Sequence, residues 1–417
     1  MFNRRAVSLI ISLAWVMLAF FSLRSAGPGT AAEMLPGGEV RVISVNVCCE
    51  QQQIDERGPK LIDLLKSYSP DSIGTQENGM DSSGKWPYYF ETGLPNYGRV
   101  GLSALGHLER SNGYMANYIY YNSDIYDCLD WQTLWMSPVT GMIASSFEDS
   151  SYPRTVTWCL LRNRETGLVY AHVNCHLAYD NTEEAEYQMA IVANLAEQFA
   201  AAGIPVFSTG DYNMSEGSRG YYIMENKPLM ADPKYIADIS ADEGTWRGWS
   251  YRDRSGQKPI DFCFVSEKLM HVREYSVIDT ISPDGQILTD HCAVFVKAEI
   301  EAVPDTFSGG CGIISMEGSS VSELKRSAYV YDFEFTRPLS FGNIYFYRAE
   351  LRDSSDRLVD TRKIYTLNLD ENIPETRTCT FTALDPDTGY TVRLYPCTVA
   401  GTEGQPMIIH FRTEAER

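Results

Sequence analysis

Six short segments of this 417-residue chain place carboxylates, amides and imidazoles where apolar runs end: Asn46, Glu77, His176, Asp211 with Asn213, Asp261, and Asp290 beside His291. Carboxylate and amide oxygens are hard donors that suit Mg2+, Mn2+ or Ca2+, and imidazoles move protons near neutral pH. Taken singly, each Asp or Asn is equally a turn former. Asp261 is harder to read that way. It sits in the apolar run Pro259-Ile260-Asp261-Phe262-Cys263-Phe264-Val265, where a buried carboxylate costs free energy unless a partner meets it.

These groups are spread over some 245 positions, so strands and helices must bring them together. Val40, Val42, Val45 and Val47 mark a buried strand, and Leu61, Leu64, Leu65 and Tyr68 one face of a helix with Pro59 at its start. Residues 118–121, 155–161 and 168–177 are strand-like. In the last of these, Val169, Ala171, Val173, Cys175 and Leu177 share one face, and Tyr170, His172, Asn174 and His176 the other. Four residues of strand put His172 about 13 Å from His176, so His172 reads as structural. A long amphipathic helix follows, capped by Asn181 and Glu184, striped by Met189, Val192, Ala196 and Phe199, and ended by Gly203. Strands at 204–209, 259–265 and 293–300 complete an alternating α/β region.

The order of the motifs is itself distinctive. Asn46, Gln76-Glu77, Asn174-Cys175-His176-Leu177, Gly210-Asp211-Tyr212-Asn213, Ile260-Asp261-Phe262 and Thr289-Asp290-His291 resemble, in sequence and spacing, the motifs of the endonuclease/exonuclease/phosphatase superfamily over roughly residues 39–300. The resemblance implies a four-layer α/β/β/α sandwich with its site at one edge, and metal-dependent hydrolysis of phosphate esters. Carried over by motif, Asn46, Glu77 and Asp290 would hold Mg2+ (or Mn2+ or Ca2+). Asp211 would hold or activate the attacking water, and Asn213 would donate to the phosphate. His291 would contact phosphate or transfer a proton, oriented by Asp261, and His176 would donate to a phosphoryl or leaving-group oxygen. Arg154 stands where relatives often place a phosphate-binding Arg. Many relatives carry a Glu ahead of the strand at 118–121. This chain has Asn112-Gly113-Tyr114-Met115 there, so the resemblance names no partner for His176. Thr245-Trp246-Arg247-Gly248-Trp249 is similar to a loop near the site in some bacterial relatives, and Trp246 would stack on a base or sugar there, or pack.

Composition bounds the partners. Lys plus Arg is 35 against 55 Asp plus Glu, a formal charge of −20, which repels nucleic acid and anionic lipid at long range and leaves a cation to meet an anionic substrate. The expected function is a phosphodiesterase of nuclease type. A sphingomyelinase-like phospholipase, a phosphomonoesterase and, in another class, a noncatalytic surface binder with the same fold stay open.

The N-terminus, Arg4 and Arg5 followed by an apolar run to Leu23 and small residues to Ala32, reads as a secretory signal over residues 1–32, with an uncleaved anchor as the alternative. The expected location is therefore secreted or cell-surface. Of ten cysteines, Cys159, Cys175, Cys263 and Cys292 read as core, and Cys379 and Cys397 as the candidate bridge. Within the expected catalytic domain, 33–301, lie all the motifs. Gly- and Ser-rich residues 302–320 read as a linker, and 321–417 as a small β-sandwich. Its segment 384–394 resembles the tyrosine corner of fibronectin type III domains, with Tyr390 at the corner. This module is expected to carry its own core and to contact a cell surface, polysaccharide or partner protein. The sequence leaves the oligomeric state open.

Overall fold

The computed structural model describes residues 38–416 apart from 51–52, 80–84, 107–114, 139–141, 149, 151, 202, 252, 301–314, 340–343, 345, 366–375 and 398–402. The signal-like segment, the stretch Asn112-Gly113-Tyr114 and most of the expected linker therefore lie outside the described residues.

Among the described residues, twelve strands and four α-helices precede residue 301. The strands are β1 (Gly38–Asn46), β2 (Ser72–Gln76), β3 (Tyr97–Val100), β4 (Ile119–Asn122), β5 (Tyr126–Trp135), β6 (Thr155–Asn163), β7 (Val169–His176), β8 (Val206–Asp211), β9 (Ile239–Ser240), β10 (Asp261–Val265), β11 (Met270–Ile278) and β12 (Ala293–Ile300). The helices are α1 (Ile54–Ser67), α2 (Lys85–Gly93), α3 (Thr182–Ala201) and α4 (Arg219–Glu225). One sheet runs β3-β4-β2-β1-β12-β11-β9 and the other β10-β8-β7-β6-β5.

Period-two alternation builds the layers. Along β1, Val40 and Val42 enter the core between the sheets with Phe207, Cys263 and Val265. Ile43 and Val45 face outward onto Leu61, Ile62 and Leu65 of α1 and Trp86 and Phe90 of α2. On the opposite sheet Ala171, Val173 and Cys175 pack under Met189, Val192, Ala196 and Phe199 of α3, as the two-faced pattern of that strand requires. The result is the four-layer α/β/β/α sandwich. Asn181 caps α3, its Oδ1 accepting from the Glu184 N–H at 3.2 Å.

Helix α1 begins earlier than the sequence reading placed it. It starts at Ile54, five residues before Pro59, which lies inside the helix. An internal proline removes one helical hydrogen bond. Ile54 and Arg57, both 1% exposed, explain why the extra turn holds: they anchor it in the interior.

Between the sheets lies a polar seam. His172 bonds Ser72 Oγ through Nδ1 and Thr209 Oγ1 through Nε2, both at 2.8 Å, so it is a satisfied structural histidine. Burial pushes its pKa down to about 3. Asn174 donates to the carbonyls of Thr75 (2.9 Å) and Tyr118 (3.1 Å) and accepts from Gln76 at 2.7 Å, tying the two sheets together one residue below Glu77.

Beyond residue 314 every regular element among the described residues is a strand. Strands β13 (Val321–Arg326), β14 (Val330–Thr336), β15 (Phe346–Asp353), β16 (Leu358–Tyr365), β17 (Thr376–Thr382), β18 (Gly389–Cys397) and β19 (Met407–Arg412) form a sheet β13-β14-β17 and a sheet β16-β15-β18-β19 around Phe333, Phe381, Tyr390 and Val392. The Tyr390 hydroxyl accepts from the Asp385 N–H at 3.0 Å, closing the corner. The module has its own core, as expected, but is also joined to the α/β region by direct contacts. Phe346 and Cys397 belong to the apolar cluster formed by β6, β7 and α3, with Tyr395 packed against it, and Lys363 pairs with Asp130. The expected bridge is absent. Cys379 and Cys397 are both free, because one lies in the core of the β module and the other in the shared cluster.

Candidate active site

Two parallel strand pairs end at the same place. β1 and β2 run in register with Asn46 opposite Gln76, and β7 and β8 with His176 opposite Asp211. Antiparallel β10 starts with Asp261 opposite Asp211. Carboxyl ends of parallel strands are where an α/β sheet opens to a ligand, and here the two sheets present them side by side.

At the centre, Asn46 Nδ2 donates to Glu77 Oε1 at 3.1 Å and to Asp211 Oδ2 at 3.0 Å, while its Oδ1 accepts from the Cys48 N–H at 3.0 Å. Glu77 Oε2 accepts from the Cys49 N–H at 2.8 Å. Burial opposes charge on Glu77, but the Cys49 donors and the Asn46 amide favour the carboxylate, and its pKa is lowered. Cys48, Glu77 and Asn213 have φ of 54°, 59° and 50°. Non-glycine residues take that conformation at a cost and concentrate at functional sites.

His291 lies between two carboxylates. Its Nδ1 is 2.9 Å from Asp261 Oδ2 and its Nε2 3.7 Å from Asp211 Oδ2. Burial disfavours the imidazolium, yet Asp261 and Asp211 together raise its pKa well above the usual value. Burial, reinforced by the charge of Asp261, pushes Asp211 up to about 7. The partner for the buried Asp261 is thus His291.

His176 Nε2 lies 3.5 Å from Asp211 Oδ2, and its buried Nδ1 has no hydrogen-bond partner among the described residues. Burial and the Arg154 guanidinium lower its pKa, keeping the ring neutral. Arg154 is itself buried. Its Nη1 contacts Met115 Sδ at 3.2 Å and its guanidinium lies 5.8 Å from the Tyr179 ring centre, with Asp211 and Glu77 in electrostatic reach. Asn213 is placed beside Asp211, whose Oδ1 accepts its N–H at 3.0 Å, but its side-chain amide donates to the Leu177 carbonyl at 3.0 Å. Trp246 forms a backbone bridge with His291 and is 45% exposed. Asp290 holds that loop through its carbonyl, which accepts from the N–H groups of Arg247 (3.0 Å) and Gly248 (2.9 Å). Its charge acts on Cys48 and His291. All ten residues singled out in the sequence therefore lie in one neighbourhood.

The donor set suits a hard divalent cation. Glu77 is ionised and Asp290 is near; the Asn46 amide turns its nitrogen to the two carboxylates, and its oxygen, which accepts from the Cys48 N–H, is a hard ligand that a turn of the amide would bring to a cation. Asp211, Asp261 and His291 also approach within 4.8 Å of one another, but an imidazole bonded to Asp261 and held protonated is a poor ligand. Glu77, Asn46 and Asp290 are therefore the residues that would hold a cation.

The neighbourhood also holds three groups that no motif marks: the backbone donor at Cys49, the ring of Tyr179 and the buried Arg57. For Arg57 a signal existed: it lies four residues before Leu61, on the apolar face of α1.

The sandwich and the acid, amide and imidazole set at its open edge define a phosphoesterase-type scaffold. A family model, the Endonuclease/Exonuclease/phosphatase family, matches residues 43–291, and the chain belongs to that family. No curated protein matches the sequence. Among solved structures, an endonuclease/exonuclease/phosphatase family protein from Bacteroides thetaiotaomicron is similar at 20% identity and a TM-score of 0.56, over 64% of this chain and 99% of that one. A mannosyl-6-phosphatase of the same organism aligns at 20% identity and 0.55, over 62% and 99%. A Bacteroides vulgatus family protein aligns at 20% and 0.56, over 63% and 100%. At such identities the likeness is one of fold.

Proposed function

We propose that the protein is an exported, divalent-cation-dependent phosphoester hydrolase. The observation that carries this is the convergence of Asn46 and Glu77 with Asp211 and the His291–Asp261 pair at the ends of five strands. A cation held by Glu77, Asn46 and Asp290 would neutralise charge on a phosphoryl oxygen. Asp211, with its pKa near 7, is suited to accept a proton from water at neutral pH. The protonated His291 faces the phosphoryl group as a donor, held by Asp261. Arg154 and neutral His176 supply further donors to phosphoryl oxygens from the β6–β7 side.

For the substrate, a phosphodiester of nuclease type is the first reading. A phosphomonoester on a small alcohol such as a sugar is the second. It is favoured by the charge of −20, which disfavours a polyanion, by the exposed residues Trp246 and Tyr179, which offer apolar faces to a sugar, and by the name of one fold neighbour, mannosyl-6-phosphatase. The β module would serve placement at a surface, polysaccharide or partner protein. The test is a panel of DNA, RNA, sphingomyelin, sugar phosphates and a generic phosphodiester, with Mg2+, Mn2+ or Ca2+. Turnover on one class, lost in Asp211→Ala, supports the reading and selects the substrate. No turnover on any class with any cation leaves a noncatalytic binder in its place.

A further inference from the structure

Arg57 carries its charge into the interior with 1% exposure, and its contacts converge on backbone. Nη1 donates to the carbonyls of Val47 at 2.8 Å and Leu288 at 2.9 Å, and Nη2 to those of Cys48 at 2.8 Å and Glu50 at 2.6 Å. The guanidinium carbon lies 4.8 Å from the Trp86 ring centre and 5.4 Å from that of Trp249. Trp86 Nε1 donates to the Cys48 carbonyl as well, at 3.0 Å.

The segments braced in this way are those that carry the oxygen donors. The Cys48 N–H holds Asn46 Oδ1 and the Cys49 N–H holds Glu77 Oε2. Leu288 precedes Thr289, whose hydroxyl donates to the Asn46 carbonyl at 2.7 Å, and Thr289 precedes Asp290. Trp249 reaches the same point from the aromatic loop, whose Arg247 and Gly248 N–H groups hold the Asp290 carbonyl. Only a planar fork of donors with two stackable faces satisfies four carbonyls and two indole rings at once, which makes lysine an imperfect replacement.

We propose, on the basis of the cation-dependent reading above, that Arg57 is a positioning residue that assembles Asn46, Glu77 and Asp290 into one divalent-cation site, with Trp249 linking that site to the aromatic loop. Neither residue meets the reacting atoms. Partners of this kind fix the orientation of ligands, and their loss typically lowers metal affinity by about 10- to 100-fold.

The experiment is a Mn2+ titration of the full chain without substrate, reading free Mn2+ by electron paramagnetic resonance, with folding checked by circular dichroism and thermal melting. Arg57→Lys is expected to fold and to lose about 10- to 100-fold in Mn2+ affinity, and Trp249→Ala to lose less, in the same direction. A merely structural Arg57 would lower the melting temperature and leave the affinity of the folded protein unchanged, and that result overturns the proposal. Should Arg57→Lys fail to fold, Trp249→Ala decides: weaker Mn2+ binding supports the proposal and unchanged binding overturns it. A wild-type chain that binds no Mn2+ refutes the cation reading itself and the proposal with it. That outcome is distinct from a wild type that binds and variants that bind equally.

Discussion

His291 meets Asp261 at 2.9 Å through Nδ1 and has Asp211 3.7 Å from Nε2, so one buried imidazole is held between two carboxylates. Its pKa is raised, which fixes the sign of its linkage to folding. The stabilisation is fully present below the unfolded value of about 6.5 and is lost as pH rises through the folded value. Asp261→Asn keeps the size and removes the charge. It should lower the His291 pKa, seen as a shift of the ring resonances to a lower titration midpoint, and cut turnover by roughly 10²- to 10⁴-fold. An unchanged midpoint would show that Asp261 does not set the charge of the ring.

Glu77 is the ionised donor of the cation set. Glu77→Gln keeps the contacts to Asn46 and the Cys49 N–H within reach but removes the charge, so turnover should fall by about 10²-fold or more and the cation concentration for half-activation should rise. Full activity of the wild type in excess chelator contradicts this.

His172 has the opposite linkage. Its pKa is lowered from 6.5 to about 3, so the unfolded chain takes up a proton that the folded chain refuses, and stability falls as pH drops from about 6.5 towards 3. His172→Gln, which keeps polar contacts to Ser72 and Thr209 possible, should flatten this loss. Melting temperatures measured from pH 7 to pH 4 would reveal it, and parallel curves for both proteins would count against it.

Phe346 joins the cluster of β6, β7 and α3 from the β module. Phe346→Ala should therefore destabilise the chain by about 3 kcal/mol, read by denaturant unfolding of the whole protein. Truncation at residue 305 should lower the melting temperature of the remaining domain, since it uncovers the same apolar surface. Equal melting temperatures with and without the module would restore the picture of two separate units.

Local residue pattern specifies the layers and the cast of the site. Period-two runs such as Val169 to Leu177 assign one face to the helix and the other to the inter-sheet seam, because alternation on a strand is local. Asn46, Glu77, His176 and Asp211 were legible for the same reason, each at the end of an apolar run, with Asp261 a carboxylate inside one and His291 just before the last. Tertiary structure alone decided which of them meet. That the Asn213 amide turns to Leu177 and that Asn46 spans Glu77 and Asp211 are set by strand register between segments up to 165 residues apart. Arg57 shows the limit most clearly. Its place on the apolar face of α1 is written in its spacing from Leu61, but the four carbonyls it binds come from loops whose approach depends on both sheets being assembled. The free thiols of Cys379 and Cys397 follow the same rule, since both strands line the core of the β module but the end of β18 carries Cys397 into the cluster beneath α3.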